Sequence, residues 1–351
     1  MPSDSSFLTG LKLELAYLSG RAFWQSRKVG GAGVIVRFER VRPRRADPFQ
    51  PLKRSEITPK FLDRTIRALK RWRYDIVSMD EVCRRAVVLA QPRRFACLTF
   101  DGCYKDFVTG AYPVLARHHV PFTVYVPTAF PDGVGQAWWL ALEQIIAKED
   151  RIGLMMDGNE RHFSVRTATE KYDVFAFLSR WLRELAPAEL TAVITDLCGR
   201  YSIDLGKLSR EASMDWNDLA KLAADPQVTI GCATVNHPAL SSLKDTDAQR
   251  EMTMGRAVAE TALQRKLLHF AYPFGDRASF RRAHVVMAEE LGFHSAVSTI
   301  PGIVHIEGRT NLRALPRVSW DGRLRSLRAM RVLLSGAMFA PVKPTPSKPP
   351  I

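Results

Sequence analysis

Leu98-Thr99-Phe100-Asp101-Gly102-Cys103-Tyr104-Lys105-Asp106-Phe107 is the stretch on which the fold turns. The apolar run Phe95 to Phe100 is short and rich in aromatic residues, as in a buried strand. It stops at Asp101, and a helical pattern follows from Val108 to His118. A buried strand that feeds a helix is half of a parallel β/α unit.

The alternation repeats outward in both directions. Strands are expected at Val34 to Phe38, Asp75 to Met79, Phe95 to Phe100, Phe122 to Val126, Val228 to Thr234, His269 to Phe274, Ser295 to Thr299 and Leu315 to Ser319. Helices are expected at Pro59 to Trp72, Val108 to His118, Tyr172 to Leu185, Pro187 to Tyr201, Ala248 to Leu267 and Arg282 to Leu291. This predicts an α/β fold, either a barrel or a doubly wound sheet. The 351 residues suit one barrel-like unit. The segment 136–226 has few strand signals and reads as a helical insertion. Ahead of the glycine-rich turn at Gly30 to Gly33, residues 1–30 carry an amphipathic helix pattern over 7–24 (Leu8, Leu11, Leu15, Leu18). The barrel is expected over 31–335. The tail 336–351, with five prolines from Pro341 onward, is too poor in apolar residues to order itself.

Parallel α/β folds carry their sites at the carboxyl ends of strands. Three strand ends therefore draw attention. Asp101 reads as a catalytic base or as a helix N-cap. His237, in Thr229-Ile230-Gly231-Cys232-Ala233-Thr234-Val235-Asn236-His237-Pro238, reads as a metal ligand, a proton shuttle or a plain hydrogen-bonding residue. Phe270-Ala271-Tyr272-Pro273-Phe274-Gly275-Asp276 reads as the wall of a sugar site or as an ordinary strand-to-loop turn.

In order and spacing these three segments resemble the polysaccharide deacetylase (NodB-homology) family, whose best-known members act on chitooligosaccharides. The family motifs T-F-D-D-G, I-G-x-H-T-x-x-H-P and P-Y-G align with them without gaps. Gly33 to Pro43, Trp138-Trp139, Met214-Asp215-Trp216 and Ala314-Leu315-Pro316-Arg317-Val318 extend the likeness over nearly the whole chain. The resemblance implies an incomplete (β/α) barrel and hydrolysis of N-acetyl groups on N-acetylglucosamine-containing glycans. It also implies a zinc or similar divalent ion that polarises the carbonyl and activates water.

By position Asp101 matches the family's base and His237 its second metal histidine. Gly102 and Ala233 stand where the other two ligands belong, and neither has a donor atom. Phe274 replaces the tyrosine of the third motif, and the late leucine-x-histidine of the family has no match. Tyr104, Tyr272, Pro273 and Phe274 are the expected substrate and oxyanion residues. Cys103 and Cys232, beside the vacated positions, are alternative ligands for a rebuilt zinc site, although strand alternation turns Cys232 away from position 233. Two readings stay open: a deacetylase, and a pseudoenzyme without metal that binds a glycan or a partner. On the second, Gly102→Asp with Ala233→His should restore metal binding.

Composition adds a third reading. The net charge of +15 favours anionic partners, and with the N-terminal helix it suggests weak contact with an anionic membrane surface. No zinc-finger or RNA-binding signature accompanies the arginines, which argues against nucleic acid. Five scattered cysteines without a Cys-x-x-Cys pair suit a reducing compartment. The start of the chain lacks a leader pattern, and no stretch reaches a membrane-spanning length. The expected location is cytoplasmic, with the inner face of the membrane as an option.

Overall fold

The computed structural model describes residues 4–20, 31–88, 93–156, 158–307 and 309–339. Trp24, Gly30 and the tail from residue 340 lie outside them, whereas Gly31 to Gly33, expected as part of a turn, belong to the first strand. The strands are β1 Gly31–Phe38, β2 Arg40–Val41, β3 Glu56–Ile57, β4 Asp75–Ile76, β5 Phe95–Asp101, β6 Phe122–Val126, β7 Arg151–Met156, β8 Asn159–Ser164, β9 Val228–Cys232, β10 His269–Ala271, β11 Ser295–Val297, β12 Val304–His305 and β13 Val318–Ser319. The helices are α1 Asp4–Leu18, α2 Pro59–Arg71, α3 Met79–Val87, α4 Tyr112–His118, α5 Trp138–Lys148, α6 Ala168–Glu184, α7 Pro187–Arg200, α8 Leu205–Ala212, α9 Trp216–Ala223, α10 Asp245–Leu263, α11 Arg282–Glu290 and α12 Leu327–Leu334.

The main sheet runs β11-β10-β9-β6-β5-β1-β12, with β4 paired to β5 and β13 to β1. Its pairings are parallel except β1 with β12. The sheet curls into an incomplete barrel, in agreement with the fold expected from the motifs. The period of two sorts the side chains between its faces. Val34, Val36 and Phe38 of β1, Leu98 and Phe100 of β5, and Phe122 and Val124 of β6 join one core cluster, packed against the helices. Ile35, Cys97, Tyr125, Ala271 and Val297 form the inner cluster. Arg37, Thr99 and Asp101 continue the inner rows towards the strand ends, so the alternation that builds the core also aims polar groups into the mouth.

Helix starts follow their caps. Thr58 accepts the Phe61 N–H ahead of Pro59, and Thr167 with Glu170 forms a full capping box for α6. Several strands end earlier than the sequence suggested. Met79 opens α3 because Ser78 caps it, leaving only Asp75 and Ile76 in β4. Pro273 and the left-handed Gly275 stop β10 at Ala271, and Leu315 makes only an isolated bridge to Val297. The helix expected from Val108 opens instead with a wide π-type turn, Phe107–Ala111.

The segment 136–226, expected as a helical insertion with few strand signals, holds helices and also the β7–β8 hairpin. Strand β8, Asn-Glu-Arg-His-Phe-Ser, is largely exposed and shows no apolar alternation. Here Leu142, Ile146, Ile152, Leu178, Ile194 and Leu197 build an apolar core of their own.

Gly110 in the wide turn is required by contact. A Cβ there would lie 1.9 Å from the Val41 carbonyl oxygen. Gly110→Ala should therefore cost about 1–3 kcal/mol of stability, as overpacking does. Urea unfolding checks this, and an unchanged midpoint would show that the turn can relax.

Candidate functional site

At the carboxyl ends of β1, β5, β6 and β9 the barrel opens on a cavity of about 290 Å³. Its floor is Arg37, Glu39, Asp101, Gly102 and His237, and its walls are Tyr104, Phe130, Trp138, Trp139, Phe175 and Phe274. Ser179 and Arg183, one helical turn apart on α6, close one side.

Asp101 is the hub. Its Oδ1 accepts Nη1 of Arg317 at 2.7 Å, and its Oδ2 accepts Nη2 of Arg317 at 2.7 Å and Nε of Arg37. Arg317 is fully buried and also donates to the Ser298 carbonyl and to Thr99 Oγ1. Arg37 spans from Asp101 to Glu39. Burial alone would raise the Asp101 carboxyl, but the charges and hydrogen bonds of Arg317 and Arg37 outweigh it and hold it well below the usual carboxylate range. Asp101 is thus an anion tied to two arginines and caps no helix.

His237 sits at φ +60, its amide donating to Thr234 Oγ1. Burial pushes its pKa down to about 4; the Asp101 charge pulls upward and Arg37 adds to the lowering. The ring is neutral at pH 7, lies between Trp139 and Phe274, and its buried Nδ1 has no partner among the described residues.

Other expected site residues divide. Tyr104 lines the cavity, its hydroxyl accepting Trp139 Nε1 at 2.9 Å, with the Arg40 guanidinium 4.6 Å from its ring centre. Phe274, at φ +57, also lines it, beneath Arg183 at 4.2 Å. Tyr272 points elsewhere: its hydroxyl donates to the Arg313 carbonyl and its ring stacks on Phe280. Pro273 serves the turn and is not in the lining. Cys103 donates to the Met214 carbonyl and Cys232 to that of Ala233. Both thiols are buried in the outer core, pushed up by that burial, and absent from the cavity. The two cysteines therefore do not converge with His237 on a zinc site.

Arg37, Glu39, Ser179 and Arg183 were not anticipated. Arg37 had one signal, an arginine on the inward face of a buried strand; Ser179 and Arg183 had none, being polar residues in an ordinary amphipathic helix.

Residues 190–296 match the family model "Polysaccharide deacetylase". Among solved structures, the Streptococcus pyogenes deacetylase PplD in complex with acetate aligns at a TM-score of 0.57 and 16% identity, covering 87% of this chain and 99% of that one. IcaB from Ammonifex degensii aligns at 0.55 and 15% identity over 87% and 98%. The de-N-acetylase from Aggregatibacter actinomycetemcomitans aligns at 0.55 and 12% over 85% and 98%. Comparison with curated protein sequences gave no significant match. The chain thus shares the fold of these solved structures, and its segment 190–296 is similar to the polysaccharide deacetylase family model.

Polysaccharide deacetylases are generally metal-dependent, and the residues here do not fit an ion. No group of three His, Cys, Asp or Glu side chains converges among the described residues. Gly102 is more than a truncated ligand: its φ is +98, and a Cβ there would lie 2.6 Å from Cε2 of Tyr104. A donor at 102 would meet that backbone strain and that ring, which weighs against the expectation that donors at 102 and 233 rebuild the site. Gly102→Asp with Ala233→His should lose about 1–3 kcal/mol, the cost of a strained left-handed residue, and should take up no stoichiometric zinc by elemental analysis. A folded, zinc-loaded double mutant would refute this.

Asp101→Asn should destabilise by about 3–5 kcal/mol, because the fully buried Arg317 loses its carboxylate partner and Arg37 is left with Glu39 alone. The folded carboxyl pKa is depressed, so its stabilisation is complete above the unfolded value near 4 and is lost only as pH falls through the lower folded value. The deficit of the variant in denaturant titrations should hold from pH 7 to about 4 and narrow below that. A deficit already absent at pH 6 would contradict the assignment.

Proposed function

We propose that this polysaccharide deacetylase-like protein binds a glycan without carrying out the family's metal-dependent hydrolysis. The reading rests above all on position 102, where the glycine conformation and the Tyr104 ring occupy the place of a ligand. The missing donor at Ala233 supports it. So does Asp101, since a carboxylate with so low a proton affinity is a weak general base at neutral pH.

What remains suits saccharide recognition. The aromatic walls offer flat apolar faces to the C–H surfaces of a pyranose ring. Ser179 Oγ, Arg183 Nε and His237 Nδ1 are buried without hydrogen-bond partners among the described residues, which leaves them for ligand hydroxyl or amide groups. Charge is nearly cancelled here: Arg37 pairs with Glu39 and Asp101, Arg40 with Asp106, Arg183 with Asp276 and Arg317 with Asp101. A neutral, hydroxyl-rich ligand fits that balance better than a strongly charged one.

Chitooligosaccharide binding by calorimetry should be unchanged by EDTA, with no acetate released in the presence of zinc, cobalt or nickel. Trp139→Ala should weaken binding by about ten-fold or more, as loss of a central aromatic anchor does. Stoichiometric metal together with acetate release would overturn the proposal in favour of an active deacetylase.

A further inference from the structure

The excess of positive charge is not spent at the glycan cavity, and a second cavity gathers part of it. A small cavity of about 60 Å³ lies beside β3 and the start of α2, lined by Arg42, Arg44, Arg45, Lys53 and Arg325 against a single carboxylate, Glu56. Arg45 is committed to Glu56 and Glu143, and Arg42 reaches Glu56 only at 3.9 Å. Arg44, Lys53 and Arg325 form no ion pair among the described residues. At about 10–15 Å³ per water, the space holds roughly four waters, which is also room for a phosphate group.

The neighbouring element is α1. Leu13 is buried, and Ala16 and Tyr17 pack on the main core. On the opposite face Leu11, Leu15 and Leu18, at i, i+4 and i+7, are 47%, 57% and 68% exposed. The helix is therefore apolar on both faces, and only one is covered by the described residues. It adjoins the basic cavity directly: Gly10 packs against Leu324, which lines the cavity with Arg325, and Ser326 donates to Glu14. No described helix is long and apolar enough to cross a membrane.

We propose that the Arg44–Lys53–Arg325 cavity and the outer leucines of α1 form one docking surface for an anionic lipid bilayer, with a lipid phosphate in the cavity and the leucines at the headgroup boundary. The charges supply attraction and the leucines supply burial, the combination that interfacial helices use. Nucleic acid would use the cations and leave the leucine stripe idle. The proposal is independent of the glycan reading, because none of these residues lines the glycan cavity.

The test is cosedimentation of the full chain with phosphatidylcholine vesicles, with and without a third of phosphatidylglycerol. Binding should require phosphatidylglycerol. Arg44→Gln/Lys53→Gln/Arg325→Gln should lower the vesicle affinity about a hundred-fold, at roughly five-fold per cation. Leu11→Gln/Leu15→Gln/Leu18→Gln should lower it at least ten-fold, while both variants keep the wild-type circular dichroism and chitooligosaccharide affinity. Absence of binding to anionic vesicles, or full binding by the triple glutamine variant of the basic residues, would overturn the proposal. Loss in the basic variant with full retention in the leucine variant would overturn the bilayer and leave a site for soluble phosphate. A dimer in gel filtration that the leucine variant dissolves, without vesicle binding, would assign the face to a second copy of the chain.

Discussion

One buried carboxylate bound by two guanidiniums holds the mouth of this barrel together. Asp101 ends β5, Arg37 comes from β1 and Arg317 from the segment leading into β13, so the network ties residues far apart in sequence at one place. Taking three charges out of water costs several kcal/mol each, which is recovered only when hydrogen bonds and opposite charges are complete. Both oxygens of Asp101 are used here, and Arg317 gives two further donors to the Ser298 carbonyl and Thr99. The strand ends are thereby fixed relative to one another, and the positions of Gly102, Tyr104 and His237 follow from them.

The same network limits the chemistry. A group that moves protons at neutral pH needs a proton affinity near that pH. Asp101 is displaced to one side by its two cations, and burial displaces His237 to about 4, so it stays neutral. Asp101, which matches the family's base, is held as an anion by Arg37 and Arg317, and His237, which matches a metal histidine, is held as a neutral ring. Consecutive left-handed residues, Gly102 and Cys103, carry the chain away from β5 and bury the Cys103 thiol against Met214. At the position that matches a family ligand the backbone itself is left-handed, a conformation that disfavours a side chain.

Much of the fold was legible because periodicity is a local property. Phe122 to Val126 appears as a strand with the boundaries read from its sequence, and most of the helix cores lie where the apolar spacing put them. Where backbone chemistry intervened, reading failed in instructive ways. Pro273 and Gly275 shortened β10, Ser78 turned a strand end into a helix start, and β8 pairs with β7 although its exposed residues carry no pattern. The site was legible at strand ends and not across elements. Asp101 and His237 stand out by position, whereas Tyr272 could be turned outward only by its contacts with Arg313 and Phe280, which no spacing reveals. Ser179 and Arg183 reach the cavity because α6 packs there, and that is a tertiary fact.

Electrostatics also separates the two cavities. In the cavity at the barrel mouth each cation faces a carboxylate, much of it shielded from solvent, so its interactions are weakly screened by salt. Arg44, Lys53 and Arg325 have no ion-pair partner among the described residues, and two of the three side chains are exposed. Attraction there acts at a distance and weakens as the Debye length shortens. A net charge of +15 spread evenly would steer every anion equally. With part of it gathered beside a leucine face that the described residues leave open, and the barrel mouth balanced, one molecule has a surface governed by salt and a cleft largely indifferent to it.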